Sequence, residues 1–274
     1  MRQTTFNGIK EIDVNVSFAD DTKGFWESFR SHDPGLLPTD ISSHDPDAKS
    51  RLLRSYHKML WSRKLPNGEF MDLEFCQKMT DYLQWRGHRF GSDSLTNSFR
   101  YTCMQDIINQ YRAEFDDYRS FMESYIRIGY TIGGMTIFPK PHKGEAGRSS
   151  QTMNQTRGCN NRIKDRWDRT LECIRLHYLG RPNPLKNVLR DDSWFFDKFI
   201  DFQGYVDFFF LQDCVTSDYS EVVSWLGDMD FDTPALPRDV DEYRIWIDAN
   251  MDFVRRRNRR IASFVESRRS GPSR

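Results

Sequence analysis

The residues best suited to chemistry lie in the segment 152–175, which is rich in Asn and Arg, contains a glycine and leads into a predicted helix. A polar loop that runs into a helix N-terminus presents unpaired backbone N–H groups and the positive end of the helix dipole. Such places bind anions. The segment therefore predicts a site for a phosphate-bearing substrate, either a nucleotide or RNA.

Six side chains of the segment are predicted to bind that substrate. They are Asn154, Arg157, Asn160, Arg162, Arg166 and Arg169. Arginine suits phosphate because its planar guanidinium donates paired hydrogen bonds. Basic side chains and hydroxyls nearby in the sequence could add contacts, and these are Lys143, Arg148, Ser149 and Ser150. Under the alternative interpretation, the Asn and Arg side chains only tie down a long loop.

The helix predicted over 161–179 carries charged side chains on the face opposite its apolar stripe. Asp165 lies four residues before Arg169, and Glu172 three before Arg175, so these groups could form a salt-bridge ladder on a solvated face. Under the functional interpretation, the face lines a cleft and supplies the acid or base of a reaction. The candidate catalytic residues are Asp165, Asp168, Glu172 and His177.

Two histidines outside this segment are further candidate acids or bases, namely His57 and His88. A lone histidine is more often a packed or solvent-facing residue, and both interpretations stay open. The spacing of Arg169 and His177 does not match the Arg-to-His motif of a family of helical ribonucleases, so that activity is not assigned. A cleft shared by the 161–179 helix with His88 or with Ser92-Asp93-Ser94 would favour an enzyme.

The sequence contains no metal or cofactor signature. Its six histidines form no HxxxH or HxH pair, although a magnesium site built by aspartates from distant segments would leave no such signal. There is no P-loop, and the glycines within 129–134 lack the GxGxxG spacing. No metal is therefore predicted, and the cofactor is left open.

Length and composition favour one domain. The chain has 274 residues, 14% of them aromatic, which allows a substantial core without metal or disulfide. Its five cysteines are odd in number and form no CxxC pair, which predicts reduced and mostly buried thiols. With no apolar run of membrane-spanning length and no signal peptide, we expect a cytoplasmic protein that does not bind membranes. The predicted domain covers 1–268, followed by a disordered tail over 269–274.

The charges sum to zero but are sorted along the chain. Segment 140–190 has twelve Lys and Arg against four Asp and Glu, whereas 191–243 has fourteen acidic residues against two basic ones. The stretch 255–260 is basic again. This sorting could produce a face that binds polyanions, or one segment could neutralise its neighbour.

Local patterns in the first half predict helices and a hairpin. Apolar spacing indicates a helix over 47–61, and Asn67-Gly68 is typical of a type I′ turn between two strands. The side chains of Ser92-Asp93-Ser94 are expected to cap a helix over 95–112, with further helix up to 126.

Residues 126–138 predict a buried strand that is kinked at Gly133-Gly134. A polar loop is expected over 140–160, with Asn160-Asn161 capping the helix that follows. The sequence RPNP at 181–184 should end that helix.

The last third is predicted to be helical. The aromatic block 194–211 indicates two core helices divided at Gly204, and a long helix is expected over 239–266 with Asp239 as its cap. The predicted fold class is therefore α+β, a mostly helical single domain with a small sheet.

Several stretches resemble an uncharacterised bacterial family, a domain of unknown function. They are LWSRKLPNGEF (60–70), GSDSLTNSF (91–99), IGYTIGGMTIFP (128–139), NQTRGCNNRIKDRWDRTLECIRLHYLG (154–180) and FQGYVDFFFLQD (202–213). The resemblance covers most of the chain. It implies one shared domain and brings no activity, so no catalytic residue is taken from it.

Two functional hypotheses follow, and the oligomeric state is left open. The first is an enzyme acting on a nucleotide or RNA, in which Arg157, Arg162 and Arg166 hold the phosphate. The second is a non-enzymatic module, such as a defence or toxin-related protein, that binds nucleic acid or protein through the basic 140–190 face. A structural protein without a pocket is the third alternative.

Overall fold

The structure is a computed structural model and describes Ile9 and residues 11–31, 44–77, 82–96, 105–141 and 152–270. Within these ranges the chain has the predicted α+β architecture, with helices and one antiparallel sheet of four strands. One hydrophobic cluster joins buried side chains from the first described helices to the last.

Helices account for most of the described secondary structure. The first six are α1 (Phe18–Asp21), α2 (Phe25–Ser31), α3 (Pro46–Lys49), α4 (Arg51–Trp61), α5 (Gln105–Glu114) and α6 (Tyr118–Gly129). The others are α7 (Met153–Cys159), α8 (Trp167–Tyr178), α9 (Lys186–Asp191), α10 (Ser193–Phe196), α11 (Phe202–Phe208) and α12 (Val240–Ser270). Short 3-10 turns lie at Ile132–Gly134, Asp197–Phe199 and Gln212–Cys214.

The sheet follows chain order, and each strand is antiparallel to the next. Its strands are β1 (Glu74–Phe75), β2 (Leu83–Trp85), β3 (His88–Ser94) and β4 (Met135–Lys140). Arg86 and Gly87, between β2 and β3, both have positive φ, at 50° and 83°. Positive φ at both central residues is typical of a type I′ turn, whose twist suits a tight hairpin.

The turn at Asn67-Gly68 is tight, but it is not the predicted type I′ turn. Only Gly68 has positive φ, at 91°, and its N–H donates to the Leu65 carbonyl at 2.9 Å. A three-residue loop that ends on a left-handed glycine explains this geometry. The flanking strands are reduced to a single bridge between Lys64 and Phe70.

Ser92-Asp93-Ser94 does not cap a helix, which corrects the sequence prediction. These residues end β3, because they pair with Ile137, Thr136 and Met135 of β4. Of the predicted 95–112 helix, the part from Gln105 is present in α5, Leu95 and Thr96 are not helical, and residues 97–104 lie outside the described part of the chain.

Ser50 divides the helix predicted over 47–61 into α3 and α4. Its extended backbone ends α3, and its hydroxyl accepts from the Leu53 N–H at 3.0 Å and donates to Asp21 at 2.6 Å. Asp45 caps α3, with Pro46 in the first turn. The separate α3 packs against β3.

The strand predicted over 126–138 begins only at Met135. The preceding residues complete α6, and the 3-10 turn connects α6 to β4. A Cβ at Gly134 would lie 1.9 Å from the Gly129 carbonyl oxygen. This close approach explains the glycine at that position.

The aromatic block divides at Ile200 and Asp201, and not at Gly204 as predicted. The Asp201 carboxylate caps α11 by accepting from the Gly204 N–H at 2.7 Å. Gly204 lies inside α11, where a Cβ would come within 2.2 Å of the Phe199 carbonyl oxygen. Gly204 is therefore required for close packing against Phe199, and Asp201 caps the start of α11.

Segment 152–179 forms two helices instead of a loop and one helix. Thr152 and Gln155 form a capping box at the start of α7, within the predicted 140–160 loop. Asn160-Asn161 follow the end of α7, and α8 begins only at Trp167, so they do not cap the longer helix. The predicted contacts from Lys143, Arg148, Ser149 and Ser150 lie outside the described residues.

The C-terminal helix begins as predicted, since the Asp239 carboxylate accepts from the Glu242 N–H at 2.9 Å. It extends to Ser270 and so includes the first two residues of the predicted tail, while 271–274 are not described. None of the described helices is long and apolar enough to cross a membrane. Of the described cysteines, Cys76, Cys173 and Cys214 are buried and Cys159 is exposed.

A buried arginine on α12 joins separate parts of the fold. Arg257 donates from Nε to the Phe209 carbonyl at 2.9 Å, and from Nη1 to the carbonyls of Gly133 and Met135 at 2.9 and 2.8 Å. Burial lowers its pKa to about 10. Arg257 thus fixes the start of β4 against the aromatic core.

We expect Arg257→Met to lower the free energy of unfolding by about 2–5 kcal/mol, because three carbonyls lose their donor. Urea denaturation measures this change. The matched control is Arg255→Met on an exposed face of the same helix, which should change stability by at most about 0.5 kcal/mol. Equal effects of the two substitutions would contradict the structural role of Arg257.

Candidate functional site

A polar cleft of about 330 Å³ opens between α3, β3, the end of β4 and the start of α7. We call it the aspartate cleft, and its lining residues are Asp45, Asp47, Ala48, Tyr82, Gly91, Ser92, Asp93, Phe138, Pro139, Lys140, Thr152, Asn154 and Gln155. The volume suits a small ligand. Carboxyl groups dominate its charge, and Lys140 is the one basic side chain among the described residues that line it.

Arg157 lies beneath the cleft with its side chain 0% exposed. Its Nη1 donates to Asp93 Oδ2 at 2.5 Å, and its Nε donates to Thr170 Oγ1 at 3.0 Å. Its Nη2 donates to the Asp165 carbonyl at 2.9 Å and lies 3.0 Å from Asp165 Oδ1. The guanidinium also lies 5.5 Å from the centre of the Trp167 ring. Arg157 therefore joins β3, α7 and α8.

The turn before α8 has an unusual backbone that Arg157 holds in place. Lys164 and Asp165 both have positive φ, at 45° and 61°, which is unfavourable for residues other than glycine. Two hydrogen bonds between Arg157 and Asp165 fix this turn. The Asp165 N–H donates to the Arg157 carbonyl at 3.1 Å, and the Arg157 guanidinium donates to the Asp165 carbonyl at 2.9 Å. The Asp165 carboxyl is thereby placed beside Arg157.

Two carboxyl groups share this single guanidinium. Burial raises the pKa of Asp93 to about 7, against the opposing effect of Arg157, and burial also raises the pKa of Asp165. One positive charge can balance only one of two buried negative charges. Near neutral pH, one of the pair is therefore expected to hold a proton, and Asp93 is the member that lines the cleft.

A directed chain of hydrogen bonds leads from the core to the cleft. Trp61 Nε1 donates to His57 Nδ1 at 2.9 Å, and the Trp indole can only donate. Burial and the charge of Arg257 lower the pKa of His57 to about 3, so the ring is neutral and carries its proton on Nε2. That proton is donated to Ser92 Oγ at 3.1 Å, and Ser92 donates in turn to Asp47 Oδ1 at 3.3 Å.

This chain orients the Asp47 carboxyl, and the Ser92 hydrogen bond only partly opposes the rise of its pKa. Its side chain is partly exposed to the cleft, and protein surrounds the carboxyl on the other sides. Burial raises the pKa of Asp47 well above its usual range, and the nearby carboxyl groups of Asp45 and Asp93 raise it further. The raised pKa favours the neutral carboxylic acid. Since Oδ1 accepts from Ser92, the proton of that form lies on Oδ2, from which it can be donated.

Residues 12–261 match a family described as a family of unknown function (DUF6994). The chain belongs to this family. The match covers all thirteen residues that line the aspartate cleft. It confirms the resemblance to an uncharacterised domain, while a bacterial origin stays a prediction. No curated protein and no solved structure matches the chain.

Three of the site residues that the sequence predicted lie at the aspartate cleft. Asn154 lines it, and Arg157 and Asp165 lie beneath it around Asp93. Arg157 was expected to hold a phosphate, but its donors contact the protein's own carboxyl, hydroxyl and carbonyl groups. It acts here as the counter-charge for Asp93, which lines the cleft, and for Asp165 beside it.

Three other predicted residues form a second buried cluster. Arg166 Nε donates to Asp168 Oδ1 at 3.0 Å, and its Nη2 donates to the Leu226 carbonyl at 3.0 Å. Arg169 Nη1 donates to the Thr233 carbonyl at 3.1 Å. These buried side chains hold the acidic segment 224–236 against α8 and do not line the aspartate cleft. The charge of Arg166 is balanced by Asp168 of its own segment, and the contacts with 224–236 are to carbonyl and hydroxyl oxygens.

The salt-bridge ladder predicted along α8 is reduced to one pair in the described structure. Glu172 accepts from Arg175 with both carboxylate oxygens at 2.8 Å. Asp165 lies before α8 and contacts Arg157 instead of Arg169. His177 is half-buried, with its ring 5.7 Å from that of Phe196, and burial lowers its pKa.

The last two predicted residues lie on the turn between α7 and α8. The Asn160 side chain donates to the Pro184 carbonyl at 3.3 Å and accepts from the Arg162 N–H at 2.9 Å. The Arg162 side chain is 61% exposed and lies 3.5 Å from Asp232. Within the described ranges, no group of three or more His, Cys, Asp or Glu is placed to hold a metal ion.

The sequence predicted no site role for the cleft residues Asp47 and Tyr82. It predicted a helix cap at Ser92-Asp93-Ser94, with a shared cleft as the condition for an enzyme. His57 was a candidate, and the structure places it behind Ser92 as an orienting group. The polar sequence GSDS at the end of a strand was the available signal, because acidic residues are uncommon in strands.

We expect Asp93→Asn to change how stability depends on pH. In the unfolded chain Asp93 releases its proton near pH 4, whereas in the folded chain it does so at about 7. Between these values the folded state binds the extra proton, so this group's contribution to stability falls as pH rises. The variant should lack that decrease.

Urea midpoints measured from about pH 4 to about pH 8 provide the test. Asp232→Asn, at an aspartate whose side chain is 88% exposed, is the matched control and should follow the wild-type curve. Parallel curves for wild type and Asp93→Asn would show that Asp93 titrates normally.

Proposed function

We propose that the chain is an enzyme that performs general acid–base catalysis in the aspartate cleft. The observation that carries the proposal is that two carboxyl groups with raised pKa, Asp47 and Asp93, line one cleft, where Ser92 donates to Asp47. Groups shifted in this way by burial and by specific charged partners are concentrated at catalytic sites.

The two carboxyl groups suit different roles because their surroundings differ. Asp47 retains its proton and is the general acid. Asp93, with a pKa of about 7 beside Arg157, can release and accept a proton near neutral pH and is the general base. Pairs of carboxyl groups whose environments separate their pKa values often divide the work in this way.

Ser92 and His57 support Asp47 in this proposal. The His57 ring donates to Ser92 and so cannot take the Ser92 proton, which excludes the usual activation of a serine nucleophile by histidine. Ser92 instead donates to Asp47 Oδ1, which directs Oδ2 and its proton towards the substrate.

An uncharged polar substrate fits this site better than a phosphate-bearing one. The guanidinium groups of Arg157, Arg166 and Arg169 are buried in contacts with the protein, although they were expected to bind phosphate. An acidic cleft also repels a phosphate whenever its carboxyl groups ionise. A nucleotide or RNA substrate at 154–175, or nucleic-acid binding through that face, therefore has less support.

We expect Asp47→Asn and Asp93→Asn each to lower kcat/KM by about 10²–10⁴-fold, the usual contribution of a general acid or base. The measurement is turnover of a panel of uncharged chromogenic esters, amides and glycosides. Both replacements keep the side-chain shape, and thermal melting checks that the variants fold. Asp232→Asn is the control and should keep wild-type turnover. Wild-type rates in both cleft variants would refute the proposal.

A further inference from the structure

The aspartate cleft contains a buried hydroxyl that the acid–base proposal does not use. Tyr82 lines the cleft and is 2% exposed, and its hydroxyl meets no partner with hydrogen-bond geometry. Its polar neighbours include Asp47 and Ser92, whose hydroxyl lies close enough to oppose the rise of the Tyr82 pKa but forms no well-aligned hydrogen bond with the phenol. A buried hydroxyl without a partner is costly, so a ligand that supplies an acceptor would offset that cost.

The backbone and the neighbours of Tyr82 fix the direction of its ring. Its φ of 60° lies in the left-handed region, which is unfavourable for a large side chain. The ring lies edge-on to His57 at 5.9 Å, and the Arg54 guanidinium lies 6.0 Å from its centre. Arg54 is itself held by the Cys76 carbonyl at 2.6 Å. The hydroxyl is therefore held in one position before any ligand arrives.

Tyr82 and Asp47 present donors of the same kind. Burial raises the pKa of Tyr82, so the phenol keeps its proton. The raised pKa of Asp47 likewise favours a proton on its Oδ2. Two uncharged O–H donors in one cleft stabilise an oxygen that gains negative charge during a reaction.

We propose that Tyr82 and Asp47 bind the carbonyl oxygen of an uncharged carbonyl substrate, a ketone, ester or amide, and stabilise the negative charge that develops on it. This assignment rests on the proposed acid–base function and names the substrate class of the same cleft. A cationic amine would instead need ionised carboxylates, and a phosphate would need more positive charge than Lys140 supplies.

The test uses 4-nitrophenol, whose phenolate oxygen resembles the charged oxygen of the reacting carbonyl and whose colour reports ionisation. At about pH 6, where Asp93 retains its proton, the wild type should bind the phenol and increase its phenolate absorbance. Tyr82→Phe should weaken that binding by about 10–100-fold, since a hydrogen bond to a charged acceptor is lost.

Tyr205→Phe is the matched control, because Tyr205 is also fully buried with an unpartnered hydroxyl but does not line the cleft. It should bind 4-nitrophenolate like the wild type, and thermal melting should show that both variants fold. Equal binding by wild type and Tyr82→Phe, or no binding by the wild type, would overturn the assignment. Neither result would decide the acid–base proposal, which is tested separately by the turnover of Asp47→Asn and Asp93→Asn.

Discussion

The arrangement of the cleft depends on the burial of one positive charge, the guanidinium of Arg157. A buried guanidinium needs carboxylate and hydrogen-bond partners, because removing it from water costs several kcal/mol. Its partners come from β3, from the turn before α8 and from α8 itself, in the form of Asp93, Asp165 and Thr170. Arg157 therefore determines how these elements meet, and with them the position of the Asp93 carboxyl.

The same interaction leaves the cleft with more acid than base. Arg157 can balance one of its two carboxyl neighbours, and Asp47 lies nearby without a cation of its own in the described contacts. Burial favours the neutral form of the remaining groups. The raised pKa values of Asp47 and Asp93 thus favour protonated carboxyl groups in the cleft, and the chain from Trp61 through His57 and Ser92 orients Asp47. The buried charge of Arg157 thus both holds these elements together and determines which carboxyl groups are left without a counter-charge.

Local patterns predicted much of the fold. Apolar spacing predicted helix over 47–61, which contains α3 and α4, and the Asp239 cap and the fold class were confirmed, whereas α7 lies in a predicted loop. Predictions failed where long-range pairing outweighed local preference. Pairing with β4 placed Ser92-Asp93-Ser94 in a strand, and the Ser50 hydrogen bond to Asp21 divided a helix.

The site was only partly predictable, because its groups come from distant segments. Asp47 and Ser92 are 45 residues apart, and Asp93 and Arg157 are 64 apart. The sequence showed that 152–175 was rich in arginine, but not that these arginines are buried. In the structure, Arg157 of this segment lies between the carboxyl groups of Asp93 and Asp165.

The most direct test of this account is the titration of the Asp93 carboxyl carbon by NMR, with the signal assigned by its loss in Asp93→Asn. The account predicts a pKa of about 7. A pKa close to the ordinary aspartate value of about 4 would contradict it, because Asp93 would then be a permanent partner of Arg157 and could not exchange a proton with a substrate.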